Sequence, residues 1–210
     1  VTPDILEIIE RHTKEYSPFE VYAKALQELM RGHELTANEW ELHESKLYNR
    51  LDRYQQEGYH SLLKIARQHN GAFLCDGVGL GKTFVGMMLI ERLIRYDKKN
   101  VVLLVPKSAR DSVWEPKLRQ FLPDLFGDEF SSLVMLSHTD LSRGDNYDER
   151  LARIKQRADV VIIDEAHNFR NIGTEGRGNK RPSRYRRLFD LAEGKQMFLL
   201  TATPINNSLL

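Results

Sequence analysis

Asp76-Gly77-Val78-Gly79-Leu80-Gly81-Lys82-Thr83 has the residue types and spacing of a phosphate-cradling loop. Glycines let backbone N–H groups close round phosphate oxygens without Cβ clashes. A helix starting behind them adds the positive end of its dipole. Lys82 has the reach for the β- and γ-phosphates, and the Thr83 hydroxyl can hold Mg²⁺. Gly71-Ala72-Phe73-Leu74-Cys75 before the loop is short and apolar enough for a buried strand, while Phe84 to Tyr96 carries no Pro and a single Gly. Strand, loop and helix in that order predict a nucleoside-triphosphate site contacted by Gly77, Val78, Gly79, Leu80, Gly81, Lys82 and Thr83. A Gly-rich turn that caps a buried helix is the alternative. Asp76 stands where the general pattern has Gly.

A second cluster supplies carboxylates. Val160-Val161-Ile162-Ile163 runs into Asp164-Glu165-Ala166-His167. An apolar strand ending in two acids places them at a sheet's carboxyl edge. There Asp164 can complete the Mg²⁺ shell opposite Thr83, and Glu165 can polarise a water for in-line attack on the γ-phosphorus. The alternative is a solvated acidic turn. His167 by itself is a turn histidine with a satisfied hydrogen bond, and the other six histidines form no zinc-binding constellation. Met197 to Leu200 leads into Thr201-Ala202-Thr203-Pro204-Ile205-Asn206-Asn207, hydroxyls and amides past a strand end.

The elements that must position these groups are legible from residue 71 onward. Five apolar runs (Ala72–Cys75, Val101–Val105, Leu133–Leu136, Val160–Ile163, Met197–Leu200) alternate with helix-compatible segments (Phe84–Tyr96, Ala109–Phe121, Asp148–Arg157, Arg184–Ala192). Strands apolar on both faces and separated by helices predict an α/β fold with a mainly parallel sheet covered on both sides. Ligands in such sheets bind at the carboxyl ends of the strands. Residues 1–50 have no strand-like run and read as a helical N-terminal appendage. Ser17-Pro18-Phe19-Glu20 has the form of a capping box, and Thr36-Ala37-Asn38-Glu39 repeats the spacing. Phe19, Tyr22, Ala23, Leu26, Leu29 and Met30 make an amphipathic face that Gly32 would end. A further helix is expected from about Tyr54 to Gln68.

The whole chain has 210 residues, 41% hydrophobic and 29% charged, with a net charge of +1. That balance suits a globular protein able to bury a core without metals or disulfides. The only cysteine, Cys75, falls in an apolar run and is expected to be a buried, reduced thiol, which suits a reducing cytoplasm. The apolar runs are too short to span a membrane. With no excess of positive charge, any affinity for nucleic acid must come from local patches. The sequence opens on Val and stops at Leu209-Leu210, and it reads as a piece of a longer protein.

Taken together and in order, these blocks resemble the first RecA-like lobe of a superfamily 2 helicase-like ATPase of the Swi/Snf type, from about Leu51 to the C-terminus. Tyr54-Gln55-Gln56-Glu57-Gly58 resembles an upstream Tyr-Gln element, which implies Gln55 as an adenine reader. Asp76–Thr83 resembles the family's Asp-Glu-Met-Gly-Leu-Gly-Lys-Thr and accounts for the leading Asp. Leu104-Val105-Pro106-Lys107-Ser108, followed by Trp114-Glu115, resembles a block that touches a nucleic-acid strand. Asp164–His167 and Leu200–Pro204 with Asn206-Asn207 resemble the remaining two, which implies that His167 couples the nucleotide site to Thr201 and Thr203. Gly77 and the pair Asp52-Arg53 depart from the family pattern. A DEAH-box RNA helicase is the alternative within the superfamily, but Thr-Ala-Thr-Pro with downstream Asn favours the Swi/Snf branch and double-stranded DNA. The resemblance further implies ATP, Mg²⁺ and a second lobe that supplies arginine fingers. Without that lobe turnover is expected to be very slow.

Arg177, Lys180, Arg181, Arg184, Arg186 and Arg187 follow one another with no acid among them. The segment allows a phosphate-backbone contact, through Arg181, Arg184 and Arg187, or an ordinary solvated surface. A nucleotide-dependent switch that recruits a partner through the N-terminal helices is a further functional class.

Overall fold

The computed structural model describes residues 17–22, 37–75, 79–125, 131–142, 146–169 and 182–202. Contacts divide the chain into two compact units, Val1–Leu35 and Thr36–Leu210. In the first, residues 18–22 are helical. Their start is held by the expected reciprocal pair: Ser17 N–H donates to Glu20 Oε2 (2.8 Å) and Glu20 N–H to Ser17 Oγ (3.2 Å). Ala23, Leu26, Leu29, Met30, Gly32 and Thr36 lie outside the described residues.

The second unit is built on five parallel strands: β1 (Gly71–Leu74), β2 (Val101–Val105), β3 (Leu133–Ser137), β4 (Val160–Asp164) and β5 (Gln196–Leu200). Their spatial order is β1-β5-β4-β2-β3. The helices are α1 (Glu39–His43), α2 (Arg53–His69), α3 (Lys82–Glu91), α4 (Glu115–Phe121), α5 (Asn146–Arg157) and α6 (Arg184–Ala192). Alternating strand residues sort into two cores. Val101, Leu103, Val105, Val160, Ile162, Phe198 and Leu200 face one core, together with residues of α2, α3 and α4. Val102, Leu104, Val161 and Ile163 face the other, with Ile154 of α5 and Leu188 and Leu191 of α6. The path explains the sorting. Chain order moves outward from β1 through β2 to β3 with helices on one face, then reverses through β4 to β5 with helices on the other, as right-handed crossovers require.

The strand runs fall within a residue or so of their expected positions, but β1 is an edge strand. Phe73 is 61% exposed and Cys75 is exposed as well. The expectation of a buried thiol is therefore corrected: only one face of β1 is covered, and the side chains of Ala72 and Leu74 take it.

Two helices depart from regular α geometry. The coil begun by α3 continues as a π turn, Arg92–Tyr96. The segment expected as one helix from Ala109 is a short turn, Lys107–Ala109, then a π turn, Arg110–Trp114, then α4. Pro116 has no N–H to donate, and its ring crowds the carbonyl four residues back. The wider coil just before it relieves that crowding.

Residues 38–50 pack into this unit. The N-cap of α1 is Asn38, in reciprocal bonds with Glu41 (2.9 and 3.0 Å), two residues beyond the Thr36 expected from spacing. Glu41, three residues on, completes that box, and Thr36 lies outside the described residues. Trp40, Leu47 and Tyr48 enter the core beside α2 and α3. Glu41 is buried, pairs with Arg92 (2.7 Å) and accepts a hydrogen bond from the Tyr59 hydroxyl (2.6 Å). The Arg92 guanidinium also stands 3.9 Å from the centre of the Tyr96 ring.

Candidate active site

Parallel pairing brings the ends of β1, β5 and β4 level: Leu74 stands opposite Leu200, and Leu200 opposite Asp164. The loop after β1 therefore opens beside the strand-end acids. Asp76, Gly77 and Val78 lie outside the described residues. The remainder of the loop is in place. Gly79 and Gly81 adopt φ of +85° and +74°, and α3 begins at Lys82 with Thr83 behind it. Gly81 suits this position because its backbone is left-handed, and a Cβ there would also push aside the amide of Gln55.

Gln55 explains the loop's support. Its Oε1 accepts the N–H of Asp52, and its Nε2 donates to the carbonyl of Leu80 (3.3 Å) and to the Tyr54 hydroxyl (3.3 Å). Tyr54 donates to the same carbonyl at 3.1 Å. The Tyr-Gln element thus clamps the phosphate loop onto the first turn of α2. Asp52, which departs from the family pattern, receives the cap that makes this possible.

At the end of β4 the Asp164 carboxylate is held by two donors. Glu165 N–H reaches Oδ1 at 3.0 Å and the indole Nε1–H of Trp114 reaches Oδ2 at 2.7 Å. Burial pushes the Asp164 pKa above the ordinary carboxylate range, the neighbouring Glu165 charge adds to this, and the Trp114 bond and the Lys82 ammonium oppose it. Glu165 has a φ of +50°, rare for a residue with a Cβ. Its Oε2 is buried, lies 3.2 Å from His167 Nδ1 and makes no aligned hydrogen bond among the described residues. The same His167 nitrogen is 3.3 Å from the Thr201 hydroxyl, and Thr201 N–H donates to the carbonyl of Leu74 (3.0 Å). The structure therefore brings Glu165, His167, Thr201 and the root of the phosphate loop together. Thr203 lies outside the described residues.

The residues present suit Mg²⁺. Among the described residues no three acidic, His or Cys side chains converge as a metal cage. A nucleotide-borne Mg²⁺ needs only one or two protein oxygens alongside phosphate oxygens and water. The Thr83 hydroxyl and Asp164 carboxylate are such oxygens.

The next strand along the edge carries the nucleic-acid candidates. Pro106 follows β2, and Lys107 and Ser108 are exposed beyond it. Arg184 is exposed at the start of α6. Arg187 is different: its side chain is only 12% exposed and pairs with Asp148 of α5. That charge joins two helices rather than facing outward. Arg177, Lys180 and Arg181 lie outside the described residues. Trp114, grouped by sequence with the strand-touching block, is fully buried beneath Asp164. No sequence signal pointed to that bond, since the two residues are separated by fifty positions.

A phosphate loop after an edge strand, paired acids after a central strand and a parallel sheet between two helical layers define a RecA-like P-loop ATPase domain. The chain belongs to the family described as "Type III restriction enzyme, res subunit", whose profile matches residues 49–206. Within it the chain is a first lobe of the Swi/Snf-type, helicase-like ATPases of superfamily 2. It is 34% identical over 70% of its length to an uncharacterized ATP-dependent helicase, YqhH, of Bacillus subtilis. It is 28% identical over 75% of its length to a SWI/SNF-related regulator of chromatin containing a DEAD/H box from Drosophila melanogaster. The chain spans 26% and 20% of those relatives. Among solved structures, the Sulfolobus solfataricus SWI2/SNF2 ATPase core in complex with double-stranded DNA shares the fold over 74% of this chain and 32% of its own. The TM-score is 0.55 at 22% identity. A second structure, of the Sulfolobus solfataricus SWI2/SNF2 ATPase core domain, gives a TM-score of 0.53 at 20% identity.

Proposed function

We propose that this lobe binds Mg-ATP and, with a second RecA-like lobe, hydrolyses it to drive movement on double-stranded DNA. The observation that carries the reading is the continuous contact from Glu165 through His167 to Thr201 and the phosphate-loop strand. Lys82 and Gly79–Gly81 bind the phosphates, with Gly77 and Val78 completing the loop. Thr83 and Asp164 hold the Mg²⁺, which when bound neutralises charge on the phosphates. Glu165 orients the attacking water and accepts its proton, with its Oε2 3.2 Å from His167 Nδ1. His167, Thr201 and Thr203 report the state of that site to the next lobe. Gln55 and Tyr54 hold the loop in shape, and Gln55 can meet adenine only by exchanging its bond to Leu80.

The DNA track is assigned to Pro106, Lys107 and Ser108, with Arg184 and Arg181 as outlying contacts; Arg187 is dropped from that set because of its bond to Asp148. The chromatin-regulating relative and the DNA-bound structural neighbour support this track over RNA. An arginine from a second lobe is worth about 10³ to 10⁵ in rate, so hydrolysis by the isolated lobe is expected to be very slow. The ATPase function is assigned to residues 51–210, and residues 1–50 remain an N-terminal appendage by sequence, of which 38–50 pack into the ATPase unit. A cytoplasmic setting is supported by the lone cysteine, which leaves no intrachain disulfide. No helix among the described residues is long and apolar enough to cross a membrane.

The test is ATP hydrolysis by the longer, two-lobed protein with duplex DNA, single-stranded DNA or RNA. Duplex DNA is expected to stimulate most. Glu165→Gln should lower kcat by about 10² to 10⁴ with nucleotide still bound, and Lys82→Ala should lose binding. Hydrolysis indifferent to every nucleic acid would remove the motor and leave the nucleotide-switch reading.

A further inference from the structure

Trp114 touches two parts of the nucleotide site at once, the strand-end acid and the phosphate-loop helix. Its Nε1–H donates to Asp164 Oδ2 at 2.7 Å. The far edge of its ring rests on Gly86 of α3, where a Cβ would lie 2.8 Å from the indole Cη2 and 3.0 Å from Leu200 Cδ1 of β5. The ring is 0% exposed. Phe or Leu would fill apolar space equally well. What Trp adds is a rigid N–H donor at the ring edge, and that donor meets the strand-end carboxylate. With Glu165 N–H on Oδ1, the two bonds fix the plane of the carboxylate from opposite ends.

Backbone connectivity adds a second consequence. Trp114 closes the π turn Arg110–Trp114, which follows without a break from Lys107–Ala109. Lys107 and Ser108 are exposed at the edge assigned to the DNA track. One short, continuous coil therefore runs from that edge to the oxygen of Asp164. Such supporting hydrogen bonds orient metal-binding carboxylates and tune their affinity.

We propose that Trp114 is a positioning residue for the nucleotide-borne metal: its indole N–H holds Asp164 in the orientation that receives Mg²⁺, and it ties that orientation to the Pro106–Arg110 segment. The inference rests on the assignment of Asp164 as the metal carboxylate made above. Because Gly86 carries no Cβ, it is the seat that lets the indole lie close enough.

The test uses the chain itself, with Mg-ADP and with ADP in EDTA. It holds two tryptophans, so ¹⁵N-indole spectra contain two N–H signals, assigned by Trp40→Phe. The Trp114 signal is expected to move when Mg²⁺ is added to the ADP-bound chain and far less when ADP binds without metal. Trp114→benzothienylalanine keeps the bicyclic shape but replaces N–H by sulfur. It should weaken Mg-ADP binding about 10- to 100-fold and leave binding in EDTA unchanged. Gly86→Ala keeps the donor but displaces the ring, and should shift Mg-ADP affinity in the same direction. Unchanged Mg-ADP affinity in the benzothienyl variant, or an indole signal blind to Mg²⁺, overturns the proposal. In that case loss of ADP binding in Lys82→Ala would leave the proposed function standing. A wild-type chain that binds no ADP overturns both.

Discussion

Glu165 shows how much of this site is decided by single residues. It is one of three residues other than glycine with positive φ among those described, and the only one at the nucleotide site. A left-handed backbone at a residue with a Cβ costs about 1–3 kcal/mol and persists only where its surroundings over-determine it. Here the constraint is visible: Glu165 N–H is held by Asp164 Oδ1, and its carbonyl accepts from Asn168 N–H and Nδ2 (both 3.0 Å). The kink separates the two acids, so that Asp164 turns toward Trp114 while Glu165 meets His167. His167→Ala should therefore lower DNA-stimulated hydrolysis more than unstimulated hydrolysis. The ratio of the two rates, measured in the two-lobed protein, checks this, and an unchanged ratio would confine His167 to a structural role. The Asp-Glu pair was readable from its place after an apolar run. The kink was not, because it arises from bonds that exist only once the turn has closed.

Among elements, the C-terminal half of the phosphate-loop helix has the least obvious support. Residues 38–50 wrap its end with buried charges. Glu91 of α3 accepts from Ser45 Oγ (2.7 Å) and Lys46 N–H (2.9 Å), while Arg92 pairs with Glu41. The Arg92 and Glu41 side chains are only 6% and 3% exposed. Breaking one partner leaves the other charge buried, at a cost of about 3–5 kcal/mol. Arg92→Met should destabilise the chain by that order, with the Glu41→Gln/Arg92→Met double variant recovering part of the loss; urea midpoints measure both. The capping-box spacing at residues 36–39 marked a nearby helix start but not the partner of Glu41. Nothing local tells that Glu41 must meet a residue on another helix. The π turns were equally hidden, although Pro116 was the clue to one of them.

For the molecule as a whole, buried histidines make stability depend on pH. Burial pushes His138 down to about 4, with the Arg184 and His167 charges adding to the effect. Burial lowers His60 in the same direction, beside the Tyr48 hydroxyl at 2.8 Å. A histidine depressed in the folded state is protonated first in the unfolded chain. Stability is therefore full above about pH 6.5 and falls as pH drops toward the folded values, by up to about 3 kcal/mol for His138 alone. Urea midpoints between pH 7 and pH 4.5 should fall accordingly, and His138→Gln should flatten the fall. A flat wild-type profile would show that these rings are protonated at no cost. The raised pKa of Asp164 acts oppositely, since its protonation is favoured by folding, and softens the decline.

The sequence by itself determined the strands, the helices between them and the chemistry at each strand end, because runs apolar on both faces and a Gly-rich loop before a helix are local signals. It determined as well the set of residues that resemble the helicase-like blocks. Tertiary structure alone decided their order along the edge: phosphate loop, Thr201, the acids with His167, then Pro106–Ser108. That order follows from crossovers that reverse direction between β3 and β4 and insert β5 beside β1, a choice made by packing helices on two faces. It also decided which side chains were used inwardly. Trp114 went under Asp164 and Arg187 to Asp148, while Cys75 was left in the open just past an edge strand. Each of those outcomes depends on a neighbour remote in sequence, and no local pattern carries that information.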